Sequence, residues 1–348
     1  LMPFFFEQSA QEIADWFLEQ SLAAYRAGQV WKWLYQKRAT RFAEMTDLPG
    51  VLRQQLAEAF QIWSTEMLTR RQAEDGSEKL LLGLRDGERI ECVLLRDDKE
   101  HCTACISSQV GCAMRCAFCA TGIDGVVRNL TAGEMIEQLL RLQLLLEPTE
   151  RLSHVVVMGM GEPLLNLDSV LAGLSLASTR DGLGISARRV TISTVGIPKG
   201  IRQLAEMNCQ YHLAVSLHAA RDELRNEIVP SNQGIGVQAI LAAADAYFEK
   251  TGRRVTFEYV LLSQVNDRPE HADQLVKLLR GRPALVNLIP YNPVPGLPFR
   301  TPSSTATAHF HQILTNGGIN VAIRHRKGDR IGAACGQLRR NSDPAAAS

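Results

Sequence analysis

The sequence predicts an α/β protein in which a parallel β-sheet, wound with helices, follows a small helical unit and a β-rich connection. Apolar residues recur at helical spacing over residues 8–65, and residues 66–98 alternate as strands do. Beyond residue 100, short β-branched runs alternate with helical stretches of roughly 10–15 residues. Strands joined by helices of that length pair in parallel, so this region predicts a parallel sheet.

The helical unit is marked by Trp16, Phe17, Trp31 and Leu34 at helix-like spacing, and Leu48-Pro49-Gly50 interrupts it before the pattern resumes. The unit carries a basic stretch formed by Arg26, Lys32, Lys37, Arg38 and Arg41. Such a run is usually a solvated face, and contact with RNA phosphates is the alternative.

The next segment predicts two or three strands, because residues 79–84 and 89–95 alternate, with the first pair turning at Asp75-Gly76. In the parallel region, Thr131 and Glu134 predict a capping box that opens a helix. Further strands are expected at 154–158, 189–193, 212–217, 255–261, 285–289 and 320–324, with helices at 166–180, 199–208, 237–251, 269–281 and 303–317. Periodicity leaves open whether the sheet is doubly wound or forms a closed or partial barrel, and the tail from Asn341 is expected to be disordered.

The composition limits the partners that the chain can have. With 348 residues it can bury one large core and carry a small accessory domain. A net charge of +1 gives no global attraction to nucleic acid or membranes, so an RNA contact needs a local patch. No apolar run reaches the roughly 18 residues of a membrane span. The opening residues also lack a basic signal-peptide region, so we expect a cytoplasmic protein.

The cysteines predict a metal or redox centre. Five of the eight fall between residues 102 and 119, which is more typical of a metal site than of a disulfide framework in a chain of this size. Cys112, Cys116 and Cys119 have the spacing Cys-x3-Cys-x2-Cys, which suits three irons of a [4Fe–4S] cluster and leaves the fourth iron open to an exogenous ligand. The alternatives are a three-cysteine zinc site and thiols packed in a core.

Other polar residues follow the predicted strands. Gly159-Met160-Gly161-Glu162-Pro163 comes directly after strand 154–158, where glycines let a ligand approach the backbone and a carboxylate can accept from an ammonium group. A simple turn is the alternative. Ser193, Ser216, His218 and Asn292 lie at the carboxyl ends of later strands, where parallel α/β folds bind ligands, or else they satisfy loop backbone.

Several motifs together resemble a known family along nearly the whole chain. They are Gly28–Tyr35, Cys105–Cys112, Gly159–Pro163, Ser216–His218, Asn287–Pro293 and Ala333–Leu338. They are similar to the RlmN/Cfr family of radical S-adenosylmethionine (SAM) RNA adenine methyltransferases. The resemblance implies a partial (βα)6 TIM-like barrel of the radical SAM type with a small N-terminal helical domain. The expected domains are 1–65 (helical, RNA-binding), 66–98 (β-rich extension), 99–340 (catalytic) and 341–348 (tail).

The resemblance also implies roles for individual residues. Cys112, Cys116 and Cys119 would ligate the cluster, and SAM would be bound by Gly161, Glu162, Ser193, Ser216, Leu217, His218 and Asn292. Cys335 would carry a methyl group from one SAM, and a second SAM would supply the radical. Cys105 would resolve the RNA adduct through a transient disulfide bond, and Glu91 would accept a proton. This chain has one extra residue between Glu91 and Cys105. Without the motif, Cys335 would be taken for a small buried hydrophobe.

The implied reaction is methylation of C2 of an adenosine in 23S rRNA at the peptidyl transferase centre, with an anticodon-adjacent tRNA adenosine as a further substrate. The implied partners are these RNAs and an external flavodoxin-like reductant, for a monomer without membrane association. The alternative is a Cfr-type C8 methyltransferase that confers antibiotic resistance, but Gly161-Glu162-Pro163 and Pro295-Gly296 are more similar to the C2 branch.

Two other classes compete with this interpretation. A non-catalytic RNA-binding or electron-carrier protein would not cleave SAM, and a radical SAM peptide-modifying enzyme would have further C-terminal cluster cysteines, where this chain has Cys335 alone. The family's Gly-Asp-Asp-Ile-Asp also reads Gly328-Asp329-Arg330-Ile331-Gly332 here, so two acidic positions near Cys335 are lost. Arg324-His325-Arg326-Lys327 could meet RNA phosphates, and Cys102 is expected to be a bystander.

Overall fold

The structure is a computed structural model that describes residues 2–97, 101–179, 181–207, 209–324 and 327–339. Ten α-helices lie in these ranges: α1 (Ala10–Glu19), α2 (Tyr25–Tyr35), α3 (Gly50–Ala59), α4 (Ala132–Gln143), α5 (Leu167–Ser178), α6 (Pro198–Glu206), α7 (Asp222–Ile228), α8 (Val237–Thr251), α9 (Pro269–Leu279) and α10 (Ser304–Asn316). The strands are β1 (Glu66–Gln72), β2 (Glu78–Gly83), β3 (Arg89–Arg96), β4 (Cys102–Cys105), β5 (Gln109–Gly111), β6 (Val126–Asn129), β7 (Leu152–Val157), β8 (Val190–Thr194), β9 (His212–Ser216), β10 (Val255–Leu261), β11 (Ala284–Pro290) and β12 (Val321–Ile323).

One sheet organises the molecule, with strand order β1-β2-β3-β4-β7-β8-β9-β10-β11-β12 over the described residues. In this sheet the strands from β1 to β4 pair antiparallel and all later pairings are parallel. Strands β5 and β6 form a separate antiparallel pair. Thr103 of β4 and Arg324 after β12 line the same cavity although their strands do not pair in the described part of the chain. The sheet therefore curls into a partial barrel, which confirms the fold class and resolves the choice that periodicity left open.

Residues of the parallel strands alternate between the helix-covered face and the inside of the barrel. In β8, Val190 and Ile192 are fully buried, whereas Thr191 and Ser193 point to cavities inside the curl. Burying each such aliphatic side chain stabilises the fold by about 1.5–3 kcal/mol. Because the helix-covered face supplies this burial, the side chains that face the inside of the barrel can be polar, and these polar side chains form the candidate site.

The N-terminal helices pack on the barrel through α4. The carboxylate of Glu137 accepts hydrogen bonds from the backbone and hydroxyl groups of Ser64 and Thr65 over 2.7–3.1 Å. The Arg38 guanidinium donates to the carbonyls of Leu146 and Glu150 at 2.7 and 2.8 Å. These contacts fasten the helical unit to the β7 side of the sheet.

The predicted elements correspond closely to the observed ones. The chain turns between β1 and β2 at Asp75-Gly76, and Thr131 and Glu134 form the predicted capping box of α4. Four of the strands and α-helices were not predicted: β4, β5, β6 and α7. Strand β4 has only four residues, and α7 is a charged seven-residue helix whose sequence is typical of a surface loop. The predicted disordered tail, 341–348, lies outside the described residues, as do His325 and Arg326. No helix in the described part of the chain is both long and apolar enough to cross a membrane.

Candidate active site

The loop that carries Cys112, Cys116 and Cys119 lies at the carboxyl end of the barrel. Its turns require unusual backbone, since Arg115 has φ +52° and a Cβ on Gly111 would lie 2.0 Å from the carbonyl oxygen of Gly125. The loop is held at several points, including a bond from Cys112 N to Gly125 O at 2.9 Å and one from Ala117 N to Ile228 O at 2.9 Å.

The three thiols line one small cavity of about 160 Å³, which we call the cysteine cavity. Gly161, Glu162, Ser193, Ser216, His218, Glu258, Arg324 and Cys335 also line it. Burial raises the pKa of Cys112 to about 12 and also raises the pKa values of Cys116 and Cys119. No group of three His, Cys, Asp or Glu side chains among the described residues converges on a single metal ion. In a cubane each thiolate binds a different iron, so such convergence is not required.

Two buried acceptor atoms, one in this cavity and one beside Cys335, have no hydrogen-bond partner within the described structure. Glu258 is 5% exposed, and its Oε1 accepts from Asn287 while its Oε2 has no hydrogen-bond partner within the described structure. Burial raises the pKa of this carboxyl. Asn292 is similarly buried, and its Oδ1 lacks a partner there. An unpaired buried acceptor is costly, so both atoms favour a ligand that donates hydrogen bonds, as the ammonium and hydroxyl groups of SAM do.

The Gly-x-Gly segment after β7 has a packing role that the sequence did not indicate. A Cβ on Gly161 would lie 2.7 Å from both the Gln109 backbone nitrogen and the Ser108 Oγ, and Gly161 has φ +108°. The glycine therefore admits the neighbouring 108–109 backbone. Glu162 follows it, fully buried, and accepts from Val195 N at 2.7 Å and Leu164 N at 3.1 Å. Burial raises the pKa of this carboxyl to about 7.

The predicted SAM residues on β9 differ in where their side chains lie. Ser216 lines the cysteine cavity, whereas the Leu217 side chain is fully buried in the core. His218 adopts φ +60°, and its Nδ1 accepts from Val260 N at 3.0 Å, so a neutral ring carries its proton on Nε2. Burial lowers the pKa of His218 to about 3, which keeps the ring neutral.

Cys335 joins the cysteine cavity to a larger one. The larger cavity, which we call the barrel cavity, has a volume of about 530 Å³ and is lined by Cys105, Asn292 and Cys335 at one end. Cys335 is exposed, so the alternative interpretation of this residue as a small buried hydrophobe is wrong. Cys105 is 8% exposed. Both are free thiols in the structure, with no disulfide between them. Burial and then the nearby Cys335 raise the pKa of Cys105 to about 12.

The Cys335 segment is tied to the β1–β3 extension. Lys79 Nζ lies 2.8 Å from Glu91 Oε1 and donates to the carbonyl oxygen of Gly332 at 3.0 Å, while Glu91 Oε2 accepts from Arg339 N at 2.9 Å. Glu91 does not line either cavity. Arg330, at one of the positions where the resemblance leads us to expect an acidic residue, forms an exposed ion pair with Glu74.

Arg225 is a site residue that sequence reasoning missed. Its guanidinium is fully buried and donates to the carbonyls of Leu217 and Ser216 at 2.9 Å and of Val195 at 2.5 Å. Burial lowers its pKa to about 10, and the Cys116 thiolate form would counter this effect. The buried cation braces the ends of β8 and β9 beside the cysteine loop. Its position in the charged helix α7 gave no signal of burial.

The predicted basic stretch of the N-terminal unit largely contacts the protein itself. Arg38 binds backbone carbonyls after α4, Lys37 pairs with Asp47 at 3.4 Å and lies over the Trp33 ring, and Arg41 pairs with Glu44 at 2.9 Å. Cys102 is also apart from the site, since its thiol contacts Glu150.

A partial parallel barrel with a three-cysteine loop at its carboxyl end defines a radical SAM enzyme, and the family model described as "Radical SAM superfamily" matches residues 106–276. The model described as "Ribosomal RNA large subunit methyltransferase N-terminal domain" matches residues 5–62. The chain belongs to the RlmN family of radical SAM RNA methyltransferases, which use a [4Fe–4S] cluster and SAM.

Individual relatives carry this assignment. A "Probable dual-specificity RNA methyltransferase RlmN" of Rhodopirellula baltica is 57% identical over 333 residues, covering 96% of this chain and 90% of the relative. A protein of the same name from Geobacillus kaustophilus is 44% identical over 340 residues, with 97% and 93% covered. The crystal structure of a radical SAM methyltransferase from Sphaerobacter thermophilus is 40% identical, with a TM-score of 0.94 over 97% of this chain and 100% of that chain.

Proposed function

We propose that this enzyme methylates C2 of an adenosine in 23S rRNA at the peptidyl transferase centre, and also an adenosine beside the anticodon of tRNA, in the cytoplasm. The observation that carries the proposal is the position of Cys335, whose exposed thiol lines both the cysteine cavity and the barrel cavity. A group attached to that sulfur faces the cofactors on one side and a space large enough for a nucleoside on the other.

The cysteine cavity is proposed to hold the cofactors. Cys112, Cys116 and Cys119 would hold the cluster. Gly161, Glu162, Ser193, Ser216, His218 and Asn292 would hold SAM, with Leu217 contributing only backbone. When bound, these groups supply a methyl group for Cys335 and then a 5′-deoxyadenosyl radical, so that two SAM molecules are used per turnover. An external electron donor completes the redox balance.

The two cysteines resolve the product. Once the methylene carbon on Cys335 has joined the adenine ring, the radical adduct must lose one electron, which the cluster would take back, and the ring C–H proton. The Cys105 sulfur, as a thiolate, then attacks the Cys335 sulfur. The new S–S bond forms as the bond between the Cys335 sulfur and the methylene carbon breaks, and the electron pair of that bond passes to the carbon, which is then protonated. The reductant returns the disulfide to two thiols. The role of Glu91 as proton acceptor stays a prediction from the family resemblance.

The test is mass mapping of the modified nucleoside. The enzyme with reconstituted cluster is incubated with SAM, reductant and either a 23S rRNA fragment or tRNA, and the RNA is digested to nucleosides. We expect 2-methyladenosine from both RNAs with the native chain and none with Cys335→Ala. A purely 8-methylated product would overturn the C2 assignment. Methylation by Cys335→Ala would overturn the methyl-carrier role.

A further inference from the structure

The barrel cavity runs through the barrel from one end of the strands to the other. Cys105 ends β4 and Asn292 follows β11, whereas Arg189 directly precedes β8 and His212 begins β9. Along β7 the lining residues run from His154 to Met158, a depth of about 13 Å at roughly 3.3 Å per residue. The cavity therefore has a second opening at the amino ends of the strands, which we call the amino-end mouth, lined by His154, Arg188, Arg189 and His212.

The opposite end of the barrel is covered by the protein. Ala120 N donates to Gly336 O at 2.7 Å, and Thr121 Oγ1 donates to Leu338 O at 2.7 Å. These bonds join the end of the cysteine loop to the Cys335 segment across the carboxyl ends of the strands. Among the described residues, the amino-end mouth is therefore a route by which a large substrate can enter the barrel cavity and reach Cys335.

The charge of the mouth suits an anion. Arg188 and Arg189 are exposed, and neither forms a salt bridge within the described part of the chain. The other cations that line the cavity lie elsewhere or have partners: Arg96 pairs with Glu78 and Glu150, Lys327 donates to the Arg96 carbonyl, and Arg324 lies near Glu258 and Cys335. The acidic Asp97 that also lines the cavity faces His101 at 3.0 Å. The two arginines are thus cations of the mouth that can meet phosphates, and Arg253, whose guanidinium lies 3.3 Å from His212 Nε2, adds to the positive charge there.

The inside of the mouth suits a base. His154 lies on β7 and pairs in register with Thr103 of β4. His212 lies on β9 and pairs in register with Thr191 of β8. Burial lowers the pKa of both histidines. Neutral rings and threonine hydroxyls offer stacking and hydrogen bonds to an unstacked base.

We propose that the substrate RNA docks at the amino-end mouth. Arg188 and Arg189 contact the phosphates that flank the target adenosine, and the adenosine, flipped out of its stack, extends along the barrel cavity to Cys335. This inference rests on the proposed function. It assigns RNA recognition to the segment before β8, in addition to the N-terminal helical unit, to which the family resemblance assigns RNA binding.

The experiment compares Arg188→Ala/Arg189→Ala with a charge-matched control, Lys277→Ala/Arg280→Ala, at two exposed positions at the end of α9. Binding of an RNA hairpin that contains the target adenosine is measured over a range of salt concentrations with the full-length, cluster-loaded enzyme. The binding constant falls as salt rises, and each phosphate contact that is lost should make the slope of log K against log salt less steep by about 0.7–0.9. The slope of the double variant should therefore be less steep than that of the native chain by about 1.4–1.8. KM for RNA should rise at least about tenfold with little change in kcat, and the control should match the native chain.

Rescue sharpens the test. Arg188→Lys/Arg189→Lys should recover most of the binding, because a lysine still neutralises a phosphate. An unchanged salt slope and KM in the alanine variant, with a native chain that methylates the hairpin, would overturn this inference alone. Cys335 methylation is also measured without RNA in the alanine variant. Its loss there would overturn the inference, because the arginines would then be needed for the structure of the active site and not for RNA binding. A native chain that leaves the hairpin unmethylated would instead refute the proposed function.

Discussion

Lys79 and Glu91 form a buried ion pair, 2.8 Å between Nζ and Oε1, and together they hold both ends of the segment that carries Cys335. Lys79 binds Gly332 at one end and Glu91 binds the Arg339 amide at the other. The strands of the β-rich extension thereby position Cys335, the cysteine proposed to carry the methyl group, although neither charged group lines the cavities.

Lys79→Met should lower the free energy of unfolding by about 3–5 kcal/mol, because it leaves the Glu91 carboxylate buried without its partner. Lys79→Met/Glu91→Gln should recover much of that loss, since no charge then remains buried. Denaturant unfolding measures both variants. A double variant as unstable as the single one would contradict the ion-pair account.

Glu91→Gln separates a positioning role from that of a proton acceptor. If Glu91 positions the segment, methylation of Cys335 without RNA should slow at least about tenfold, and mass spectrometry of the protein reports this directly. If Cys335 is methylated at the native rate while a covalent RNA adduct accumulates, Glu91 acts on the proton as the family resemblance implies.

Cys105→Ala should trap the RNA on the protein. The adduct on Cys335 then has no neighbouring thiol to displace it, so a covalent RNA–protein band should accumulate on a denaturing gel. Cys102→Ala is the matched control, because Cys102 lies on the same strand and is buried, but its thiol faces Glu150. An adduct in neither variant, or in both, would contradict the assignment of Cys105.

Gly161→Ala should destabilise the protein more than Gly184→Ala. Both glycines have positive φ, at +108° and +65°, but nothing lies within 4 Å of a Cβ added at Gly184. The control should cost about 1–2 kcal/mol through its backbone alone. Gly161→Ala should cost a further 1–3 kcal/mol, roughly, because its Cβ meets the 108–109 backbone. If denaturant unfolding gives both variants the same loss in free energy of unfolding, the close approach of the 108–109 backbone to Gly161 does not contribute to the cost of the substitution.

The pH dependence of stability should report the buried His218. Its pKa is lowered to about 3 in the folded state and lies near 6.5 in the unfolded chain. A depressed pKa contributes stability above pH 6.5 that is lost as pH falls toward 3. Between pH 7.5 and 5.5 the native chain should therefore lose about 1.4 kcal/mol more than His218→Gln. Urea unfolding of the cofactor-free proteins tests this, and parallel profiles would contradict a neutral, buried ring.

Local patterns were enough to predict most of the fold. The capping box at Thr131, the turn at Asp75-Gly76 and the apolar β-branched strands depend on neighbours in sequence, and all appear in the structure. The curl of the sheet is a long-range property, so the partial barrel came from resemblance. Likewise, Lys79 and Arg225 are charged residues in ordinary-looking segments, and only tertiary structure shows that they are buried.

The candidate site shows the same division. The cysteine loop is local in sequence, and its three thiols line one cavity as its spacing predicts. Position at a strand end predicted Ser193 and Ser216 near that cavity, but Asn292 lines the barrel cavity beside Cys335 instead. The amino-end mouth joins residues that are distant in sequence, so no single motif indicates it.

The most direct test of the account follows the methyl group itself. Cys335 is first loaded from SAM with a trideuterated methyl group, free SAM is removed, and a single turnover is begun with unlabelled SAM and RNA. If Cys335 carries the methyl group, one deuterium is lost on activation, and the first product should contain a methyl group with two deuterium atoms at C2 of adenosine. A first product with an unlabelled methyl group, while Cys335 keeps its label, would contradict the account.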